Sequence, residues 1–297
     1  MNRIKDQIRC GAAYRLGLTG KGIGVAVLDT GIFLHRDFDS RVTGFADMVN
    51  GKNFAYDDCG HGTHICGIIG GSGRMSGGRY SGIAPGCDLV MVKVLDRKGN
   101  GYSSDVLAGI SWILERKEKL GIRILNISVG ACSKRGMSEN SALVKGVNRA
   151  WDAGLVVVVA AGNNGPRTMS ITTPGISRKV ITVGCSDDDR EVLVGGNRMV
   201  DYSGRGPTAA CICKPDLVAP GCSVVSCSSR ADKYTIKSGT SMSTPIVSGA
   251  VALLLERFPD MSNKDVKLRL RESSVDIGLP RNQQGWGLLD VGKMLER

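Results

Sequence analysis

Four short motifs place a carboxylate, an imidazole, a hydroxyl and an amide at widely separated points of the chain. Asp29 ends VAVLDTG, where an apolar strand delivers a carboxylate and Gly31 allows a tight turn. That carboxylate can orient a base or simply cap the turn. Only three histidines occur, His35, His61 and His64, so general bases near neutral pH are few. His61, in GHGTHICG, has glycines on both sides that leave its ring approachable, and the residues after it begin a helix. His64 follows three residues on. Zinc is not expected at this pair, because HExxH sites space their histidines four apart with a glutamate between. A structural hydrogen bond inside the helix is the expected role of His64, and His35 reads as a loop residue. Ser241, in SGTSMSTP, opens a long apolar helix whose terminal N–H groups can meet charge developing on an attacked carbonyl. Its hydroxyl is a nucleophile only if an imidazole takes the proton, and alone it reads as a helix cap. Asn163, in VVVVAAGNNGP, can donate to an oxyanion or shape a turn.

These groups need a scaffold that brings them together. Residues 24–28, 88–95, 122–128, 155–160 and 180–185 are short, almost wholly apolar runs. Strands of this kind are buried on both faces, and helix-length amphipathic segments separate several of them. The pattern implies an α/β fold, a mostly parallel central sheet with helices on both faces. Ser103 or Ser104 is the expected cap of a helix ending near Lys119, with Gly121 as its stop. Ser138 is the expected cap of the next, ending near Asp152 before Gly154. Longer helices are expected over about 240–258, closed by Pro259, and 263–272, with a short one after Leu289.

Composition narrows the class. With 297 residues, 42% hydrophobic and 23% charged, the chain can bury a large core, and no linker or repeat divides it. One domain over residues 1–297 is expected. The longest apolar run, Leu155 to Ala161, falls far short of the roughly 20 residues that span a bilayer. Arg3, Lys5 and Asp6 precede no apolar stretch, so a cytoplasmic location is expected, or a secreted one if a leader has been removed. Ten cysteines without an export signal read as mostly free thiols. Cys211, Cys213, Cys222 and Cys227 lack the paired CxxC spacing of structural zinc sites. The net charge of +11 is spread among acidic residues, as in Glu115 to Lys119, which suits a solvated basic surface rather than nucleic-acid binding.

DTG, GHGTH, AAGN and GTSMSTP occur together, and the order Asp, His, Ser is that of subtilisin rather than chymotrypsin. From about Leu18 to Leu289 the chain resembles the subtilisin-like serine proteases (subtilases), with an intracellular type in view. The resemblance implies that Asp29 orients His61, that His61 takes the proton of Ser241, and that Ser241 forms an acyl-enzyme. Asn163 and the Ser241 N–H would hold the oxyanion. It also implies an extended peptide between Lys98–Gly101 and Ser128–Gly130. Gly99, Asn100 and Gly101 would lie on one side of it, with Ser128, Val129 and Gly130 on the other. Thr172 would lie at the base of the primary pocket, before a cis Pro174. Protein or peptide substrates are implied; composition predicts no nucleic-acid or membrane partner, and a monomer is the default expectation. Two departures stand out. The chain starts too close to Asp29 to hold an inhibitory propeptide domain, so residues 1–17 read as an N-terminal extension. The loop GGSGRMSGGRYSGIAP has no Asp, Asn or Glu, and Asp37, which resembles a family calcium ligand, cannot make a cage alone. No metal site and no required cofactor are expected, with room only for weakly bound calcium.

Overall fold

Apolar runs too short for helices and too continuous for a one-sided sheet become the inner strands of this fold. The computed structural model describes residues 1–130 and 139–296. Its strands are β1 (Gly24–Asp29), β2 (Val42–Asp47), β3 (Asp88–Lys93), β4 (Ile122–Ile127), β5 (Val156–Ala160), β6 (Ile181–Cys185), β7 (Val192–Val194), β8 (Asn197–Met199), β9 (Leu217–Ala219), β10 (Val224–Cys227) and β11 (Tyr234–Lys237). Seven form the central sheet in the order β2-β3-β1-β4-β5-β6-β9, and every neighbouring pair is parallel. β7–β8 and β10–β11 are separate antiparallel hairpins.

The helices are α1 (Asn2–Gln7), α2 (Gly11–Arg15), α3 (His61–Gly70), α4 (Ser103–Arg116), α5 (Ala142–Asp152), α6 (Thr240–Arg257), α7 (Asn263–Ser273), α8 (Arg281–Gln284) and α9 (Val291–Met294). Successive strand residues point to opposite faces, and glycine contacts show which helices cover each. A Cβ at Gly62 of α3 would meet Met91 and Asp29, whereas one at Gly109 of α4 would meet Leu28, Val92 and Val94. α3, packed on α6, therefore covers one face, and α4, packed on α5, covers the other. Along α6, Ile246, Val247, Val251, Leu253, Leu254 and Leu255 are fully buried. Each such side chain contributes about 1.5–3 kcal/mol, which anchors the helix that begins at Ser241.

Caps differ from expectation. Tyr102 occupies the N-cap of α4 without a side-chain bond, so neither Ser103 nor Ser104 caps it. Ser141 caps α5 through Val144 N–H; the expected cap Ser138 lies outside the described residues. The segment before β1 is not loose. Ile4 and Ile8 are buried, and Val291 N–H donates to Ile8 O at 2.8 Å.

Candidate active site

β1, β4 and β5 lie side by side, and their carboxyl ends present Asp29, Ser128 and Asn163 to one crevice. The chain order reverses here: β1 is flanked by β3 on one side and β4 on the other. Such a switch point is where open α/β sheets bind ligands.

Asp29 is wholly buried, and its Oδ1 accepts from Thr30 N–H at 2.8 Å. His61 Nδ1 lies 2.7 Å from Oδ1 and 2.9 Å from Oδ2. A carboxylate can only accept, so Nδ1 carries the proton and Nε2 is left basic. The turn that delivers His61 is gathered by Asp57. Its Oδ1 accepts from Gly60 N–H at 2.7 Å, and its Oδ2 from Thr63 N–H at 2.9 Å and Thr63 Oγ1 at 2.6 Å. Gly62 lets α3 approach β1, since a Cβ there would come 2.2 Å from Gly31 O.

Ser241 lies in the first turn of α6, and its hydroxyl donates to Ser128 O at 2.7 Å. The hydroxyl and His61 line the same cleft. Asn163 Oδ1 accepts from Thr240 N–H at 3.0 Å and Thr240 Oγ1 at 2.9 Å. With that oxygen held, the amide NH₂ is the end left to donate beside Ser241.

A cleft of about 470 Å³ brings His61, Asn163 and Ser241 together with Gly99, Ser128, Val129, Gly130 and Thr172. Thr172 packs against Gly130, where a Cβ would run into its Oγ1. Asn100 and Gly101 line an adjoining hollow of about 220 Å³ with Tyr102, Val106, Leu143 and Pro174. The Thr173–Pro174 bond is cis. Beyond Ser241, a third hollow of about 680 Å³ is walled by the β7–β8 hairpin and by Ile236 and Lys237.

The sequence and the fold are matched in known proteins. The model of the subtilase family fits residues 20–287. The chain belongs to the subtilase family of serine proteases. Serine protease AprX of Bacillus subtilis (strain 168) is 43% identical over 290 residues, covering 92% of this chain and 65% of that protein, so this subtilase spans just under two thirds of AprX. Subtilisin Savinase of Lederbergia lenta is 34% identical over 286 residues, covering 96% of this chain and 95% of that protein. The structure of sphericase superposes with a TM-score of 0.79 at 32% identity, covering 92% of this chain and 93% of that one.

One expectation needs revision in this subtilase, that for His64. The His64 side chain bonds outside its helix: its Nε2 lies 3.1 Å from Val224 O and 3.2 Å from Thr235 O, tying α3 to the β10–β11 hairpin. Burial holds its pKa down to about 3, so it is neutral. His35 lies in a loop but is buried, with Nε2 3.1 Å from Lys233 O. Asp37 does not fit calcium: its carboxylate receives hydrogen bonds from Met75 N–H at 2.9 Å and Tyr234 Oη at 2.7 Å, and Cys227 Sγ is 3.7 Å away. Calcium wants a shell of six to eight oxygens. The nine described cysteines are free, and no described helix is long and apolar enough to cross a membrane.

Sequence reasoning missed Asp57 and the walls of the third hollow. Asp57 had a readable signal, an acid just ahead of a glycine-flanked helix start. Leu193, Met199 and Ile236 had none, because short exposed hairpins carry no buried periodicity.

Proposed function

We propose that this subtilase is an endopeptidase in which Ser241 attacks the peptide carbonyl, His61 moves the proton and Asp29 orients His61. The observation that carries this reading is the pairing of His61 Nδ1 with the buried Asp29 in the same cleft as Ser241 and Asn163. A substrate laid along Ser128–Gly130 brings a backbone N–H that competes for Ser128 O. The Ser241 hydroxyl then leaves that carbonyl and turns to His61 Nε2. As Oγ bonds to the carbonyl carbon, Nε2 takes its proton and Asp29 stabilises the imidazolium. The carbonyl oxygen gains the charge, which the Asn163 NH₂ and the Ser241 N–H receive. His61 returns the proton to the leaving amine, the acyl-enzyme remains, and water repeats the sequence to release the acid.

The extended substrate lies between 99–101 and 128–130 in this reading, with its primary side chain towards Thr172. Residues 1–297 act as one monomeric peptidase unit. The nine described cysteines, all free, suit a reducing compartment, which supports a cytoplasmic location. A fluorophosphonate probe followed by peptide mapping tests the chemistry. Label on Ser241 that disappears in Ser241→Ala is expected; folded protein that takes no label would favour peptide binding without cleavage.

A further inference from the structure

Away from the cleft, His35 and Asp37, which follow β1, meet Cys227 at the end of β10 in a buried cluster. Their nearest ligand atoms lie within 4.8 Å of one another. His35 Nδ1 is 3.9 Å from Asp37 Oδ1, and Cys227 Sγ is 3.7 Å from Asp37 Oδ2. A tetrahedral zinc, with bonds of about 2.0 Å to N and O and about 2.3 Å to S, holds such atoms roughly 3.3 to 3.5 Å apart. With no pair of these atoms more than 4.8 Å apart, a contraction of up to about 1.5 Å closes the cluster to that geometry. We propose that His35 Nδ1, the Asp37 carboxylate and Cys227 Sγ form a binding site for one zinc-type divalent cation.

The tautomer of His35 is already the one a metal requires. Its Nε2 faces Lys233 O at 3.1 Å and must donate, while its Nδ1 accepts from Asp37 N–H at 3.1 Å and so carries a lone pair. Metal-bound histidines are oriented by the same second bond to a carbonyl. The donor set of nitrogen, sulfur and one carboxylate excludes calcium and suits zinc. Binding displaces Asp37 N–H from Nδ1 and releases the Cys227 proton to solvent. Thiolate and carboxylate then carry two negative charges, the imidazole none, and the cation cancels both in an interior where unpaired charge is costly. Burial, followed by the Asp37 charge, otherwise keeps the Cys227 thiol protonated. Tyr234 Oη, 2.7 Å from Asp37 Oδ2, is a further oxygen beside the cluster.

A second group, Cys185, Asp187 and Cys222, looks similar and behaves differently. Asp187 Oδ1 accepts from Gly221 N–H, Cys222 N–H and Cys185 Sγ at 2.7, 3.0 and 3.3 Å, and its Oδ2 is paired with Arg3 at 2.8 Å. Asp37 also accepts a backbone N–H, from Met75, but its carboxylate has no lysine or arginine partner among the described residues, whereas the charge of Asp187 is met by Arg3. The second group therefore serves as the control.

A cation at the first cluster pins the β10–β11 hairpin to the segment that follows Asp29, so its effect falls on stability. The test uses the reduced full chain carrying Ser241→Ala to prevent self-digestion, folded with cobalt(II) or zinc. One cobalt per chain with a thiolate-to-cobalt charge-transfer band is expected, and zinc should bleach it. Zinc should also raise the melting midpoint by about 4 °C or more over chelator-treated protein. Cys227→Ser and, as a second variant, His35→Gln should lose both responses, while Cys222→Ser keeps them. No charge-transfer band in the reduced, folded chain would overturn the site. So would a band that survives Cys227→Ser but not Cys222→Ser.

Discussion

At the floor of the cleft, Asp29 is wholly buried and His61 is bound to it at 2.7 Å, whereas on the far wall Leu193 and Ile236 stand 63% and 64% exposed. The floor is fixed by saturated polar contacts: Asp57 gathers the turn before α3, and Thr240 holds the Asn163 amide. Such groups can stabilise a transition state because they need no reorganisation when charge develops. The walls offer apolar surface that a substrate meets equally in its ground state, which changes binding more than turnover.

Substitutions that break the floor should therefore cost most. Asp29→Asn leaves the geometry but destabilises the required tautomer of His61, and kcat should fall roughly 10⁴-fold. Peptide hydrolysis at saturating substrate checks this, and a loss confined to KM would remove Asp29 from the floor. Next comes the neighbouring His64, which shares α3 but faces the interior. Its folded pKa of about 3 is depressed from 6.5, so between these values the unfolded chain binds the extra proton. Stability is thus full above pH 6.5 and drains as pH falls towards 3, by roughly 4 to 5 kcal/mol in all. Denaturant melts of Ser241→Ala across this range should show that slope, and His64→Gln should flatten it.

Asn163→Ala removes one oxyanion donor and should lower kcat about 100- to 1,000-fold with little change in KM. A drop below tenfold would assign the oxyanion to other groups. Smallest are the walls. Leu193→Ser and Ile236→Ser should each raise KM roughly three- to tenfold for peptides with a large apolar residue beyond the scissile bond. Unchanged KM with such peptides would place the leaving segment elsewhere.

The floor was also the part legible in the sequence. Asp29, Ser128 and Asn163 end or follow strands that are buried on both faces, so their continuous apolar runs announce them. Glycines beside His61 and Ser241 mark the close approaches. β2 escaped notice because Val42–Asp47 is a half-exposed edge strand with mixed polarity, and β9 because three residues make no pattern. The hydrogen bonds of the His64 side chain are not legible, because their acceptors, Val224 O and Thr235 O, are main-chain atoms distant in sequence. The His35, Asp37 and Cys227 cluster was hidden for the same reason: nearly 200 positions separate its members, and only the hairpin joins them.

The claim that Asp29, His61 and Ser241 act as one unit is tested most directly by whether their losses add. In subtilisin, removing the serine or the histidine alone costs about as much as removing all three members. Kinetics of Ser241→Ala, His61→Ala and the triple Asp29→Ala/His61→Ala/Ser241→Ala chain on one peptide make the comparison. The account predicts that all three retain the same low kcat, set by the remaining oxyanion donors and binding. A triple variant slower than Ser241→Ala by a further large factor would show the residues acting independently and would contradict it.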